Sequence, residues 1–259
     1  MATIIDSKLM FLRTTVRHNC KEVINHVIQT QLIRKSIKSE EICIFCGSPN
    51  LITKEHVIPR WTFEKSTEKN FITDINGKSQ TYNRTTIPAC SNCNNNSLAS
   101  LERYIIELLE NTDLTKSFLS NYEIQNIIRW LEIIEYKFQI LEVRRKFKST
   151  QNGDFVDYLV DFPISMLRER TGYSPYKVIS EIRLSQKRIT IKSKSKNVNS
   201  LVVFKTKNEN FHFLHNMNEF IFFELPKYKI ALFYFYTETF KNNKDAFNKT
   251  MEIIEKIYN

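Results

Sequence analysis

Residues 43–61 read CIFCGSPNLITKEHVIPRW. Two cysteines stand in C-x2-C spacing, a glycine follows, and within one more turn of text come a Glu-His pair and Val-Ile-Pro. The whole chain of 259 residues holds only five cysteines and five histidines, so this concentration governs how the rest is read. A second C-x2-C pair, Cys90 and Cys93, lies further on. Two such knuckles supply four thiolates in the tetrahedral arrangement that Zn²⁺ prefers, and a closed four-cysteine shell leaves no position for water, so the ion they imply is structural. The stretch between the pairs is longer than a compact zinc ribbon needs, and the Glu-His segment occupies it.

Composition narrows the class of protein. Hydrophobic residues make up 42% of the chain and charged ones 25%, with only four glycines and six prolines, which fits a globular chain and excludes a collagen-like or loop-rich one. The length allows one large or two smaller domains with real cores. Lys and Arg number 38 against 28 Asp and Glu, a net charge of +10 that favours polyanionic partners, nucleic acid before membrane surface. No run of about 18 apolar residues is present, and the opening MATIIDSKLMFLRTT lacks the apolar core and cleavage site of a signal peptide. These features predict a cytoplasmic protein without a membrane partner, where disulfides are rare and paired cysteines read as metal ligands.

The pattern along the chain predicts an α+β fold. Residues 8–36 carry apolar residues at helical spacing, giving an N-terminal helical segment over 1–40. A metal module follows over 41–115. Residues 121–148 set Ile124, Ile127, Ile128, Leu131, Ile134, Phe138 and Leu141 on one stripe, which predicts a long connecting helix within 116–150. Over 151–259 the texture becomes short alternating runs at SEIRLSQKRITIKSK, SLVVFKTK, FHFLH and NEFIFFELPKYKIALFYFY, the last broken at Pro226 and Lys227 into a hairpin. A closing amphipathic helix completes an α+β accessory domain with an antiparallel sheet.

Cys43-x2-Cys46, then KEHVIPRW, then IPACSNCNNN with Cys90 and Cys93, then LASLE, occur in one order over residues 41–104. In that order they resemble the zinc-containing HNH endonucleases of the ββα-metal class. The resemblance implies a strand-strand-helix module around the four-cysteine zinc. It implies His56 as the general base, Glu55 in the acidic metal-binding position, and Asn94 in the position of the His or Asn that follows the second knuckle. The cation there is usually Mg²⁺, sometimes Mn²⁺. Two departures stand out. The central Asn that orients the base is expected where this chain has Thr85, with Asn83 two residues away as a substitute, and position 55 is Glu rather than Asp. The resemblance implies DNA hydrolysis leaving a 3′-hydroxyl and a 5′-phosphate, in settings such as phage defence or mobile elements.

Elementary chemistry agrees with that reading. Phosphodiester hydrolysis needs an activated water, a cation against the charge developing on phosphate, and a rigid frame. On a strand, Glu55 and His56 project to opposite sides of the pleat, so one can face metal and the other water. Asn94, at the start of a helix, can offer a carbonyl oxygen to a hard cation, or with Asn95 and Asn96 simply cap that helix. Glu102 falls two turns further on, either near the site or against Arg103. Arg60 can touch a phosphate, and Trp61 beside it reads as core. Two basic stretches remain, 144–148 and 183–196. As a strand, the second would align Arg188, Thr190, Lys192 and Lys194 on one face, either a phosphate track or a solvated surface. His18, His26, His212 and His215 lack ligand partners, and Cys20 reads as a buried small hydrophobe. The rival functions are an inactive zinc-stabilised nucleic-acid-binding protein and an RNA-cleaving toxin. A regulatory protein partner and a homo-oligomer both remain open.

Overall fold

The computed structural model describes residues 2–32, 41–63, 70–72, 79–113, 119–150 and 175–258. The end of the predicted 8–36 helical segment and the first part of the 151–259 region lie outside them. Helix α1 spans Ala2–Val27 and continues as a wider turn, Ile28–Leu32. Ile5, Leu9, Leu12, Val16, Val23, Ile24 and Val27 form its buried face, the spacing of an amphipathic helix.

Strand β1 (Ile52–His56) and strand β4 (Thr86–Cys90) pair antiparallel, with Ile52 opposite Cys90 and His56 opposite Thr86. Between them lie the one-turn helix α2 (Arg60–Phe63) and a small hairpin of β2 (Asn70–Ile72) and β3 (Ser79–Thr81). After β4 a wide turn over Asn92–Leu98 leads into α3 (Ala99–Asn111), which buries Leu101, Ile105, Leu108 and Leu109. A pair of strands followed by a helix is therefore present between and after the knuckles.

Helix α4 (Asn121–Thr150) is the long helix the apolar stripe predicts, but its burial is not confined to a stripe. Every residue from Asn126 to Val143 is buried. The sheet β5 (Leu201–Lys205), β6 (His212–Asn216), β7 (Phe220–Leu225) and β8 (Ile230–Phe235) explains one side of that burial. Its strands run antiparallel in the order β5-β8-β7-β6. Ile221, Phe223, Leu225, Leu232 and Tyr234 join the same core as α4, while Phe220, Phe222, Phe233 and Phe235 pack beneath the C-terminal helix α6 (Asn243–Tyr258). The β7–β8 hairpin turns at Pro226–Tyr228, as read from the sequence. Buried residues from Ile5 to Tyr236 belong to one main cluster, so the described parts of the segments divided by sequence texture share one interior.

One expectation is overturned. Residues 183–196 do not form a strand: Pro175–Thr190 is helix α5. Ile179, Ile182, Gln186 and Ile189 recur at helical spacing and turn inward, and this longer period prevails over the brief alternation at 188–192. Arg188 and Lys194 are consequently internal. Lys194, 1% exposed, pairs with Glu132 of α4 and donates to the Arg188 carbonyl. Arg188 bonds Asn218 at 2.7 Å and lies 3.5 Å from Glu135. Neither reaches a phosphate without breaking a buried ion pair, a loss that typically costs about 3–5 kcal/mol. Lys192 remains exposed, and the side chains of 144–148 lie outside the described residues.

Candidate functional site

The four cysteines come together. Their sulfurs all lie within 4.8 Å of one another, and a tetrahedron with Zn–S near 2.3 Å has edges of about 3.8 Å, so the cluster is of a size to hold a metal such as zinc. The chain builds this from two turns. Gly47, at φ +72°, lets the first knuckle close with its N–H on the Cys43 carbonyl at 2.8 Å; a Cβ there would meet the Glu22 carboxylate at 2.7 Å. The β1–β4 register then carries Cys90 to the start of β1, and Cys93 follows in the next turn. Hydrogen bonds from Cys46 and Cys93 pull the Cys43 thiol far down, and those two thiols are pushed up in turn. One thiolate in the cluster is thus favoured even before a metal adds its charge.

His56 sits at the other end of β1, four residues on from Ile52. At about 3.3 Å per residue this is roughly 13 Å from the knuckle end, so the metal cluster and the histidine are separate devices on one strand. The chain leaves β1 through Val57, whose N–H donates to the Thr85 carbonyl at 3.0 Å, and turns at Pro59 into α2. Trp61 of α2 stacks on Trp130 of α4 with ring centres 5.5 Å apart, and Phe63 stacks on Tyr82 at 5.1 Å. These contacts fix α2 and leave Arg60 exposed at its start. Together Glu55, His56, Pro59, Arg60, Trp61 and Glu102 line a pocket of about 390 Å³.

Of the residues expected from the sequence, then, the pocket gathers Glu55, His56 and Arg60, and Glu102 joins them. Asn94 is not among its lining; its amide donates to Thr53 Oγ1 at 2.9 Å, and Thr53 in turn donates to the Ala89 carbonyl at 2.8 Å. Thr85 is fully buried and gives its hydroxyl to the Thr81 carbonyl at 2.9 Å. Asn83 falls in the turn Tyr82–Arg84, with its side chain outside the described residues. His212 and His215 face opposite sides of β6, toward Glu224 and Glu135 respectively. Cys20 is only half-buried.

Lys137 is the residue that sequence reasoning missed. Its ammonium, 1% exposed, pairs with Glu55, donates to the His56 carbonyl at 3.1 Å, and lies 3.9 Å from Glu102 Oε1. Glu135 and Lys137, two residues apart on α4, project about 200° apart, so one helix serves both the sheet side and this pocket. On the sheet side Glu135 accepts from His215 and from the Asn218 N–H; burial alone would raise its carboxyl, but His215 and Arg188 outweigh that and hold it low. The sequence carried no distinct signal for Lys137, since the same helix also holds Arg129, Glu132, Glu135 and Glu142.

Burial raises the Glu102 carboxyl to about 7, with Lys137 pulling it down and Glu55 pushing it up. An unfolded Glu titrates near 4.3, so between about pH 4.5 and 7 the folded chain holds a proton that the unfolded chain has lost, and stability falls as pH rises through that window. Glu102→Gln keeps the neutral shape. It is expected to match the parent at pH 5 and to exceed it at pH 8 by about 1–2 kcal/mol in urea unfolding, less than the full shift because the carboxylate keeps 24% of its surface in water. Equal stabilities at both pH values would refute this.

A larger cleft of about 700 Å³ adjoins the pocket across Trp61, which lines both. Lys207, Lys227 and Lys229 lie along it and are exposed, and Lys227 is paired with Glu110 at 2.7 Å. Among the described residues no helix is long and apolar enough to cross a membrane. No protein-family model, no curated protein and no solved structure matches this chain.

Proposed function

We propose that the chain is an HNH-type endonuclease that hydrolyses DNA phosphodiester bonds, with His56 as general base. The observation that carries this reading is the placement of His56 and Arg60 in one pocket at the open end of a β-strand whose other end is clamped by the four-cysteine cluster. In the reaction a water attacks phosphorus, the His56 imidazole takes its proton, and the bond to the 3′ oxygen breaks, leaving a 3′-hydroxyl and a 5′-phosphate. The departing oxygen takes a proton from water. Arg60 at the rim faces the phosphate and fixes it by charge-assisted hydrogen bonds. The resemblance assigns a divalent cation to Glu55 and Asn94. Glu55 is held by Lys137 and Asn94 is not among the pocket's lining residues, so no step is routed through that ion. Plasmid DNA and a structured RNA, each incubated with the zinc-loaded protein and with a His56→Ala control, test the reading. DNA cleavage that depends on His56 supports it, RNA cleavage alone turns it to the toxin, and binding without cleavage turns it to the inactive binding protein.

The cleft beside the pocket supplies the grip in place of residues 183–196. Lys207 and Lys229 are exposed and close to Trp61, where a phosphate backbone leaving the pocket passes. Lys207→Gln with Lys229→Gln is expected to weaken binding about equally on unrelated sequences. It should flatten the log-log salt dependence by about 1 to 2 units, since each neutralised phosphate releases about one counterion. An unchanged salt slope in fluorescence anisotropy would remove the cleft from the binding path.

A further inference from the structure

A buried cation stands behind the carboxylates of the pocket. We infer that Lys137 is the resident cation beside Glu55, in the place that a divalent ion takes in the ββα-metal nucleases, so that this pocket has no divalent-cation site at Glu55. The inference takes its meaning from the nuclease reading, but its test does not depend on cleavage.

The geometry is that of a completed site. The Lys137 ammonium has three N–H donors, and around it stand the Glu55 carboxylate, the His56 carbonyl at 3.1 Å and Glu102 Oε1 at 3.9 Å. A charged amine 1% exposed is tolerated only where carboxylates and carbonyls replace its water, and here they do. Neighbours on α4 hold it there: Tyr136 donates to the Ile44 carbonyl, and Phe138 stacks on Phe213 with centres 5.1 Å apart. The side chain therefore cannot swing out to water while the helix stays packed. A hard divalent ion needs several oxygen ligands at about 2.0–2.6 Å, and at Glu55 one carboxylate oxygen is already paired with Nζ, with Glu102 Oε1 3.9 Å from the same ammonium. The Asn94 amide nitrogen donates to Thr53, and Asn94 is not among the residues that line the pocket. Lys137 thus sets a positive charge of the chain's own beside the Glu55 and Glu102 carboxyls.

The experiment is a Mn²⁺ titration of the zinc-loaded protein, with free Mn²⁺ read by electron paramagnetic resonance. The parent is expected to bind no Mn²⁺ at Glu55 below about millimolar concentration, while Lys137→Met, which removes a like charge a few ångströms from that position, should bind one Mn²⁺ at least about tenfold more tightly. Adding Glu55→Gln to Lys137→Met should abolish that gain. A parent that binds Mn²⁺ in the micromolar range and loses it on Glu55→Gln overturns the inference. So does a zinc-loaded, folded Lys137→Met variant that gains nothing. If Lys137→Met does not fold, the parent titration and its Glu55→Gln comparison decide alone. Absence of cleavage with every metal would remove the nuclease reading and leave the Mn²⁺ result standing.

Discussion

On the proposed nuclease reading, His56→Ala is expected to lower DNA cleavage by about 10² to 10⁴ while zinc content and thermal transition stay at parent values, because the loss would be that of a general base and not of the frame. The frame has no need of the imidazole. β1 is held by its ladder to β4, by Thr53 on the Ala89 carbonyl, and by the Lys137 ammonium on the His56 backbone carbonyl, which alanine retains. His56 is half-buried at the pocket wall, so truncation opens the pocket and leaves no hole in the core. The assay is supercoiled-plasmid nicking with matched zinc loading, read as initial rate. Undiminished nicking would move the base elsewhere, and a collapse of zinc content would mean that the histidine is structural.

Cys43→Ser, or removal of the expected zinc by a strong chelator, is expected to abolish the cooperative unfolding transition. Binding at a structural zinc site is worth about 10–16 kcal/mol, as much as the whole stability of a typical domain, about 5–15 kcal/mol. The β1–β4 pair is only a two-stranded ribbon, which is marginal without further support. Four thiols in one cluster also cannot all ionise without a cation. The damage spreads because the module has no core of its own. Cys43, Phe45, Cys90 and Cys93 are buried in the cluster that also contains α1, α4 and the inner face of the sheet. Calorimetry on chelator-treated and zinc-restored protein reads the effect. A Cys43→Ser protein as heat-stable as the parent would show that the cluster is dispensable.

Where local chemistry repeats at a fixed spacing, the amino-acid sequence decided the outcome. Two C-x2-C pairs with a glycine after the first gave the sulfur cluster, because a knuckle is closed by its own backbone. Apolar residues at helical spacing gave α4, and alternating runs broken at Pro226 and Lys227 gave the β7–β8 hairpin, since both periods are properties of the local chain. Adjacency at the end of β1 also put Glu55 and His56 on one pocket.

The partners of the charged residues were decided only by the tertiary structure. Arg188 and Lys194 look like a basic track in sequence, yet Glu132 and Glu135, on a helix some fifty residues earlier in the chain, draw them inside. Lys137 looks like an ordinary helical lysine until the helix is packed against β1 and α3, where it meets Glu55 and Glu102. A charge is stable in the interior only beside an opposite one, and that opposite charge is supplied by whichever segment folding brings near. Sequence spacing therefore fixed which residues can ligate, and packing across long separations fixed which charges are satisfied inside and which are left to face a substrate.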